Sequence, residues 1–283
     1  MIALITYPAL PELHDDDRLL ASALRGLGID SRPAVWSDSE IDWQSFEALV
    51  VRSPWDYFIR LAEFRAWLEA RIASGVRMCN AAEILVWNFD KRYLEDLAAS
   101  GIPIVPTISV AAGRSPDLAA LARARGWDEL VIKPTISGGA YATHRVRVAD
   151  LEQHREVIAT TLVDRGLLIQ PFVPEIANGE LSLLFFDGEF SHAVCKRPKA
   201  GDYRVQFQHG GTTERIEVAE ATIAAARACL DGAPSLPTYA RVDGVIVDGQ
   251  FLLMELEVFE PLMFLAQEPP AAARFARAIQ RRL

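Results

Sequence analysis

Residues 239–261 read YARVDGVIVDGQFLLMELEVFEP, with Tyr239 first and Pro261 last. Two apolar runs rich in β-branched residues flank Asp248-Gly249, and this pattern predicts a β-hairpin. Four charged residues interrupt the apolar strands: Arg241, Asp243, Glu255 and Glu257. Because burying a charge is costly unless it is paired or bound to a metal, these four side chains need partners.

The two glutamates of this stretch indicate a metal site. Glu255 and Glu257 are two residues apart, so both project from one face of a strand. A hard divalent cation that prefers oxygen ligands would relieve their mutual repulsion. We therefore predict that Asp243, Glu255 and Glu257 hold Mg²⁺, together with a phosphorylated ligand. The alternative is an exposed sheet face that carries an Arg/Glu pair.

The length of the hairpin loop decides whether Asp243 can reach the glutamates. A two-residue loop would pair Val247 with Gln250 and place Asp243 opposite Met254, away from them. A three-residue loop over 247–249 would pair Ile246 with Gln250 instead. Arg241 would then lie opposite Glu255, with Asp243 diagonal to it. If the carboxylates share a metal, we expect the three-residue loop.

Composition limits the class of protein. The 283 residues can form one large or two to three small domains, and 51% hydrophobic with 24% charged residues is ordinary for a soluble globular chain. The formal charge of −9 argues against non-specific nucleic-acid binding. No apolar run approaches the ~20 residues that span a bilayer, and the N-terminus is typical of a first strand, not a signal peptide. Three scattered cysteines fit a reducing cytoplasm.

Residues 1–85 alternate strand and helix, which predicts an open parallel sheet with ligands beyond the carboxyl ends of its strands. One loop at that edge spans residues 52–57 and offers four candidate substrate contacts: Arg52, Ser53, Asp56 and Tyr57. Its alternative interpretation is a helix-capping loop with Trp55 packed inward. The other loop holds His14, also a candidate substrate contact, although a helix N-cap is the favoured interpretation there.

The middle of the chain offers two lysines and a glycine loop. Residues 88–100 predict a helix with Lys91 in its first turn, where a cation opposes the helix dipole and so hints at a bound anion. An apolar strand ends at Lys133 and is followed by Ser137-Gly138-Gly139, a loop able to bring backbone N–H groups close to a phosphate. A plain hairpin turn explains the glycines equally well.

Two later segments are suited to a nucleotide. Residues 167–173 predict a strand that ends in an apolar, Pro-containing segment, which would suit a flat heterocycle such as adenine. Residues 196–211 are the most basic segment of an acidic chain and contain Gly210 and Gly211. They indicate either anion handling or a solvated loop. We expect helices over 149–164 and 216–230.

The order of these features resembles the ATP-grasp superfamily, over about residues 81–265. It is similar to D-alanine–D-alanine ligase and bacterial glutathione synthetase. The pattern RSPWDY at 52–57, together with ELEVFEPL at 255–262, most resembles the cyclo-ligases that form D-cycloserine from O-ureido-serine, and their relatives. The resemblance implies an α/β (α+β) ATP-grasp fold with an N-terminal open parallel α/β domain, divided into 1–85, 86–165 and 166–283.

The resemblance also implies roles for individual residues. Lys91 and Lys133 would bind ATP phosphates under the loop of Ser137, Gly138 and Gly139. Adenine would lie against Gln170, Phe172 and Val173, and the ribose against Glu180. Lys196 and Arg204 would meet the triphosphate or the substrate, and Arg241 would stabilise the transferred group. Relatives usually have Asn where this chain has Glu257, and glutathione synthetase has Asn where this chain has Gln206.

The implied activity is an ATP- and Mg²⁺-dependent ligase. It would phosphorylate a carboxylate or ureido group of a small amino-acid-like substrate and then form a C–N bond, between two molecules or within one, releasing ADP and phosphate. The alternatives are a catalytically inactive nucleotide-binding protein and a small-molecule kinase on the same fold. We expect no nucleic-acid or membrane partner and a cytoplasmic location, and a homodimer is compatible with the sequence.

Overall fold

The N-terminal region is an open parallel sheet in a computed structural model that describes residues 1–199, 201–205 and 209–283. Its strand order is β2-β1-β3-β4. The strands are β1 (Ile2–Thr6), β2 (Ser31–Val35), β3 (Ala48–Val51) and β4 (Met78–Cys79). Helix α1 (Asp15–Gly26) packs on the face of Ile2 and Leu4, and α2 (Leu61–Ala73) packs on the face of Ala3 and Ile5. The predicted parallel sheet is confirmed.

The second sheet is antiparallel, with order β5-β8-β6-β7. Its strands are β5 (Ile108–Val110), β6 (Glu129–Pro134), β7 (His144–Arg147) and β8 (Leu167–Pro171). The short helices α5 (Leu118–Arg123) and α6 (Arg155–Thr161) cover one face. On the other face Leu168 joins the core of the third sheet. The division of the chain at 165/166 stays a prediction, and β8 pairs with β5 and β6.

The third sheet is antiparallel, with order β11-β10-β9-β12-β13. Its strands are β9 (Glu180–Phe186), β10 (Glu189–Arg197), β11 (Thr212–Ile216), β12 (Tyr239–Val247) and β13 (Gln250–Glu257). Helix α7 (Glu220–Asp231) packs against this sheet, and α8 (Ala271–Gln280) packs between it and the N-terminal sheet. In the described ranges no helix is long and apolar enough to cross a membrane.

The hairpin of β12 and β13 corrects the predicted loop. Val247 pairs with Gln250, so the loop has two residues, and both Asp248 (φ 50°) and Gly249 (φ 79°) adopt the positive φ of a type I′ turn. The three-residue loop was therefore wrong. Asp and Gly both tolerate the positive φ of a type I′ turn, which is the turn that best matches the twist of the flanking strands. This local preference set the loop length.

A β-bulge brings Asp243 to the glutamates despite the short loop. Gly244 pairs with Leu253, whereas Asp243 pairs with Glu255, so Met254 is the extra residue. A one-residue shift moves every later side chain to the opposite face. Arg241 consequently lies opposite Glu257. The predicted pairing of Arg241 with Glu255 was therefore wrong. A Cβ at Gly244 would stand 2.4 Å from the Phe251 ring, so the bulge requires glycine there.

Helical predictions in the linking regions need correction. The helix predicted over 88–100 is two helices, α3 (Ala82–Asn88) and α4 (Tyr93–Ala99). Lys91 lies in the link between them, so the helix-dipole argument does not apply to it. At the break, the Asn88 amide donates to Leu256 O of β13 at 2.7 Å and accepts from Val258 N, just beyond that strand, at 3.0 Å.

Two other predicted helices are shorter than expected. Residues 149–164 contain a 3₁₀ segment, Val148–His154, followed by α6. The helix predicted from 216 begins at Glu220, because the alternating Thr212–Ile216 segment pairs with β10 as a strand.

Candidate active site

A carboxylate cluster lies where the third sheet faces the second sheet. We use this name for Asp243 of β12, Glu255 and Glu257 of β13, and Glu260 just beyond it. Asp243 and Glu255 are brought side by side by the bulge. Asp243 is buried, and the three glutamates are each partly covered. Four cations approach the cluster from different elements: Lys91, Lys133, Lys196 and Arg241.

Lys91 joins the carboxylate cluster to the glycine loop. Its Nζ forms an ion pair with Glu255 and donates to Ser137 O at 3.0 Å. The Lys91 backbone N–H donates to Thr135 O at 2.8 Å. The link between α3 and α4 is therefore bound to the loop that follows β6, and Lys91 contacts both predicted parts of a phosphate site.

Arg241 and Lys196 hold Asp243. The Arg241 guanidinium donates to both oxygens of Asp243, at 3.0 Å from Nε and 2.9 Å from Nη2, and Nη2 also lies 2.6 Å from Glu257 Oε1. Lys196 pairs with Glu180 and lies 3.3 Å from Asp243 Oδ1. Although burial raises the pKa of Asp243, Arg241 and Lys196 together hold it at about 2. Asp243 is therefore an ionised, fully paired carboxylate.

The other end of the cluster has a surplus of negative charge. Burial, together with the nearby carboxylates of Glu255 and Asp243, raises the pKa of Glu257 to about 8 against the lowering effect of Arg241. Burial likewise raises the pKa of Glu260 to about 7. The pKa of Glu255 is lowered, because Lys91 and Lys133 outweigh the effect of burial. Near neutral pH, Glu257 therefore keeps a proton that a bound cation could displace, and Glu260 is about half protonated.

The donor chemistry fits a hard divalent cation, since the cluster offers carboxylate oxygens and excess negative charge. The two ionised carboxylates, Asp243 and Glu255, are however turned toward Arg241 and Lys91. Across residues 1–199, 201–205 and 209–283, no group of three or more His, Cys, Asp or Glu side chains is arranged to hold a metal. The assignment of Asp243, Glu255 and Glu257 to Mg²⁺ stays a prediction.

Lys133 is a cation without a partner. It is half-buried on β6, and no acceptor or carboxylate pairs with its Nζ within the described part of the chain. Burial lowers its pKa, and the charge of Lys91 lowers it further, against the attraction of Glu255, Glu180 and Asp243. A partly desolvated ammonium group in this position is suited to a bound anion.

The glycine loop is packed against the N-terminal region. The Tyr57 hydroxyl donates to Ser137 O at 3.3 Å. A Cβ at Gly138 would stand 3.0 Å from the Phe58 ring. Gly139 and Ala140 have φ of 57° and 61°, and Tyr141 N donates to Gly138 O at 2.9 Å, so the loop is a tight turn. The N-terminal loop and the predicted phosphate loop therefore touch directly.

The predicted adenine residues lie near an apolar cluster. Phe172 and Val173 pack with Tyr203, Leu252 and Met254. The Arg145 guanidinium lies 3.5 Å from the centre of the Phe172 ring. Gln170 is buried and donates to Thr107 Oγ1 at 2.8 Å. Glu180, predicted on the ribose, is paired with Lys196 across the strands.

Most polar groups of the 52–57 loop are used inside the protein. Arg52 is buried and donates to Asp17 Oδ1 at 2.9 Å and to Pro261 O at 2.7 Å. Ser53 donates to Thr6 Oγ1 at 3.3 Å. Asp56 accepts from Trp36 Nε1 at 2.7 Å. Only Tyr57, among the predicted substrate residues of this loop, is brought to the glycine loop and the cluster; substrate contact by the loop stays a prediction.

For the remaining candidates, the described residues show no hydrogen bond or ion pair with the carboxylate cluster. His14 caps α1 by accepting from Asp16 N at 3.2 Å, which is the alternative favoured from the sequence. Arg204 pairs with Asp202 at 2.8 Å. Gly211 is packed so tightly that a Cβ would stand 2.1 Å from Val205 O, and Gly210 has φ 83°. Gln206 lies outside the described residues.

Sequence reasoning missed several residues that build this region. Ser182 donates to Asp243, and the Tyr93 hydroxyl accepts from Leu256 N at 2.9 Å. Met254 occupies the bulge beside the apolar cluster. A hydroxyl inside an otherwise apolar strand was the available signal for Ser182. Nothing local marks Met254, since its position depends on the pairing of β12 with β13.

Comparisons with known proteins agree with this arrangement. The ATP-grasp domain model of prokaryotic glutathione synthetase matches residues 96–242, and the model of the N-terminal domain of D-cycloserine synthetase DcsG matches residues 2–80. The cycloserine biosynthesis protein DcsG of Streptomyces lavendulae is 34% identical over 297 residues, covering 100% of this chain and 99% of that protein. Glutathione synthetase of Prochlorococcus marinus (strain MIT 9313) is 31% identical over 202 residues, covering 69% of this chain and 60% of that protein.

Solved structures show the same likeness. The crystal structure of D-cycloserine synthetase DcsG superposes with a TM-score of 0.89 at 33% identity, covering 100% of this chain and 99% of the other. D-alanine–D-alanine ligase from Bacillus anthracis, complexed with ATP, superposes with a TM-score of 0.68 at 17% identity, covering 99% and 96%. The second likeness is one of fold.

Proposed function

This chain belongs to the ATP-grasp family of ATP-dependent, ADP-forming carbon–nitrogen ligases, and we propose that it is a cyclo-ligase that closes a C–N bond within one small amino-acid-like substrate. The observation that carries the proposal is the contact of Tyr57 and Phe58 with the glycine loop beside the carboxylate cluster. This contact puts the N-terminal region next to the predicted ATP phosphates. Similarity to DcsG through residues 2–80 supports a substrate of the same class.

In this proposal the cations of the site bind and orient ATP. Lys133, which forms no ion pair among the described residues, takes a phosphate oxygen, and Lys91 holds the glycine loop over the phosphates. Magnesium, held by Asp243, Glu255 and Glu257, would supply further positive charge against the triphosphate. Arg241 lies beside these carboxylates and stabilises charge on the transferred group. Positioning and charge stabilisation do most of the work in phosphoryl transfer.

The chemistry requires activation because a carboxylate or ureido oxygen is a poor leaving group. That oxygen attacks the γ-phosphorus of ATP, and the bond from phosphorus to ADP breaks. A nitrogen of the same substrate then attacks the activated carbon, and phosphate leaves. Between phosphorylation and ring closure, the glycine loop and the Tyr57-Phe58 segment packed on it exclude water from the activated substrate. Without that cover, hydrolysis would compete with ring closure.

A substrate-dependence assay tests the proposal. Purified protein is incubated with ATP, MgCl₂ and O-ureido-serine, and ADP, phosphate and the cyclic product are measured. We expect all three from this one substrate. ADP formation that requires a second amine would replace the cyclo-ligase with an intermolecular ligase. An accumulating phosphorylated substrate would indicate a kinase, and ATP binding without any ADP would indicate an inactive nucleotide-binding protein.

A binding screen addresses substrates other than O-ureido-serine. Amino acids are screened by thermal shift in the presence of a non-hydrolysable ATP analogue, and compounds that raise the midpoint further than the analogue alone are taken into the assay. Magnesium dependence, a homodimer and a cytoplasmic location complete the proposal. Omission of MgCl₂ and light scattering of the purified chain test the first two.

A further inference from the structure

One arginine outside the carboxylate cluster lies between two parts of the candidate active site. Arg165 is in the segment that links α6 to β8 and is followed by Gly166. The Gly166 carbonyl accepts from Thr135 N at 2.9 Å, which extends the pairing of β8 with β6 by one residue. Arg165 is therefore held beside the point where the chain leaves β6 and enters the glycine loop. It is not one of the four cations that approach the carboxylate cluster.

The Arg165 side chain reaches two backbone carbonyls from different regions of the chain. Its Nη1 donates to Phe58 O at 2.9 Å and to Ile136 O at 3.4 Å. Phe58 belongs to the N-terminal segment that packs on the glycine loop, and Ile136 immediately precedes that loop. The side chain is only 10% exposed, so water competes weakly for these two hydrogen bonds. One guanidinium nitrogen thus connects the N-terminal region to the predicted phosphate loop.

The rest of the guanidinium is oriented by the preceding residue. Arg165 Nε and Nη2 donate to the two carboxylate oxygens of Asp164, at 3.0 Å and 2.9 Å. This bidentate pair balances the charge of Arg165 and fixes the plane of its guanidinium. All three guanidinium nitrogens therefore have protein acceptors, whereas Lys133 forms no ion pair among the described residues. This geometry is that of a cross-link between two segments and not that of a phosphate ligand.

The contacts that side chains make between the same two segments are less directional. The Tyr57 hydroxyl lies 3.3 Å from Ser137 O, which is long for a hydrogen bond from a hydroxyl. The Phe58 ring lies 5.1 Å from the Tyr141 ring, centre to centre. Apolar ring contacts tolerate sliding because the hydrophobic effect has no direction, whereas a charged donor shared by two carbonyls sets their separation. Arg165 therefore supplies a directional contact that fixes how the two segments lie against each other.

We propose that Arg165 is a positioning residue that couples the glycine loop over ATP to the Tyr57-Phe58 segment over the substrate. This inference rests on the proposed cyclo-ligase function, in which these two segments exclude water from the activated substrate. With the cross-link in place, nucleotide binding at the loop also orders the substrate side. Without it, the loop covers ATP while the substrate side stays open. Water then attacks the activated carbon in place of the substrate nitrogen, phosphate leaves, and the uncyclised substrate is regenerated.

The yield of cyclic product per ADP tests this coupling on the full chain with ATP, MgCl₂ and O-ureido-serine. In Arg165→Met we expect the yield to fall by about threefold to tenfold, the effect of losing one hydrogen bond that orders the site. Arg165→Lys keeps a cationic donor but cannot form the bidentate pair with Asp164, so it should restore part of the yield. A merely structural defect would lower ADP and product together and leave their ratio unchanged.

Hydrogen exchange tests the same coupling without any ring closure. In the unchanged chain, a non-hydrolysable ATP analogue should slow amide exchange both in residues 136–141 and in residues 57–60. In Arg165→Met it should slow exchange only in the first segment, because the second is no longer joined to it. Arg155→Met removes an exposed arginine of α6 that pairs with Glu152 at 2.5 Å. This matched control should behave as the unchanged chain in both experiments.

Two results would each overturn the role of Arg165. One is an equal yield of cyclic product per ADP in the unchanged chain and in Arg165→Met. The other is protection of residues 57–60 by the analogue that is equal in both proteins or absent from both. If the unchanged chain forms no cyclic product, the cyclo-ligase proposal fails and hydrogen exchange alone decides the role of Arg165. If Arg165→Met does not fold, Arg165→Gln replaces it, since it also removes the charge and the fork of donors.

Discussion

Two groups of buried charges in this molecule have opposite characters. The junction cluster, Asp16, Asp17 and Arg52, joins the N-terminal sheet to the chain after the hairpin. Arg52 pairs with Asp17, and the Asp16 carboxylate accepts from Leu265 N at 2.6 Å and Met263 N at 3.0 Å. Of these ionised atoms, Arg52 Nη1 alone lacks an acceptor in the described ranges. The cluster is almost complete without a ligand.

The carboxylate cluster is incomplete by comparison. Glu257 and Glu260 have raised pKa values because burial and neighbouring carboxylates disfavour their charged forms. Lys133 stands nearby and forms no ion pair with the residues that the structure describes. Buried charge that the protein pairs internally serves cohesion, whereas buried charge left unpaired is suited to a ligand. The completeness of pairing, more than burial itself, separates the two clusters.

Removal of Arg52, the cation of the junction cluster, should have the largest effect on stability. Arg52→Met leaves Asp17 buried and unpaired, so we expect a loss of about 3–5 kcal/mol in the free energy of unfolding. Urea unfolding measures it. Arg77→Met is the matched control, because Arg77 is exposed and donates to Arg282 O, and it should change stability by less than about 0.5 kcal/mol. A loss below about 1 kcal/mol in Arg52→Met would contradict the structural role of this pair.

Neutralisation of Glu255 should mainly affect catalysis. Glu255→Gln retains the shape of the side chain but removes its charge from the cluster. We expect ADP formation to fall by about 10²–10³-fold, the cost typical of a lost electrostatic contribution at a transition state. Stability should change little. Glu83→Gln, on the exposed face of α3, is the control. Unchanged ADP formation in Glu255→Gln would remove Glu255 from the site.

Lys133 provides the sharpest contrast with Arg52, because the same substitution should act in opposite directions. Lys133→Met removes a partly desolvated cation that has no ion-pair partner in the described part of the chain, so stability without nucleotide should be retained or rise by up to about 1 kcal/mol. ATP affinity should fall about tenfold to a hundredfold, the loss of one charged hydrogen bond. Calorimetric ATP titration and urea unfolding measure the two effects.

The control for this variant is Lys199→Met, at an exposed lysine of the basic segment. It should change neither quantity. A destabilised Lys133→Met, or one that binds ATP as well as the unchanged chain, would place Lys133 with the structural charges.

The smallest expected effect is a pH dependence of stability. The Glu257 carboxyl keeps its proton in the folded chain up to about pH 8, whereas in the unfolded chain it ionises near its usual pKa of about 4.5. Between these values the folded state binds more protons. Its stability without metal or nucleotide therefore falls as pH rises, by at most about 1.4 kcal/mol per pH unit for this carboxyl.

Urea unfolding of the unchanged chain and of Glu257→Gln, at intervals from pH 6.5 to 8, isolates this contribution. Buried His192, whose pKa is lowered to about 4, has its own effect on stability below that window. We expect the difference in stability between the two proteins to change with pH. A constant difference across the window would show that Glu257 is already ionised.

Much of the fold follows from local patterns in the sequence. The alternation of strand and helix predicted over residues 1–85 is present, since the period of the apolar residues reports which face of each element is buried. The Asp248-Gly249 turn follows from the positive φ that both residues tolerate. The ordered set of charged motifs was enough to identify the ATP-grasp family, which the comparisons confirm.

Only the tertiary structure decided which charges meet. The bulge at Met254 places Asp243 beside Glu255, and the break after Asn88 moves Lys91 out of a helix. Arg52 has the charge and the hydrogen-bond donors expected of a substrate contact, but it is bound to Asp17 instead. Strand register and the partners of buried charges depend on contacts between residues distant in the chain, so local periodicity and turn chemistry cannot specify them.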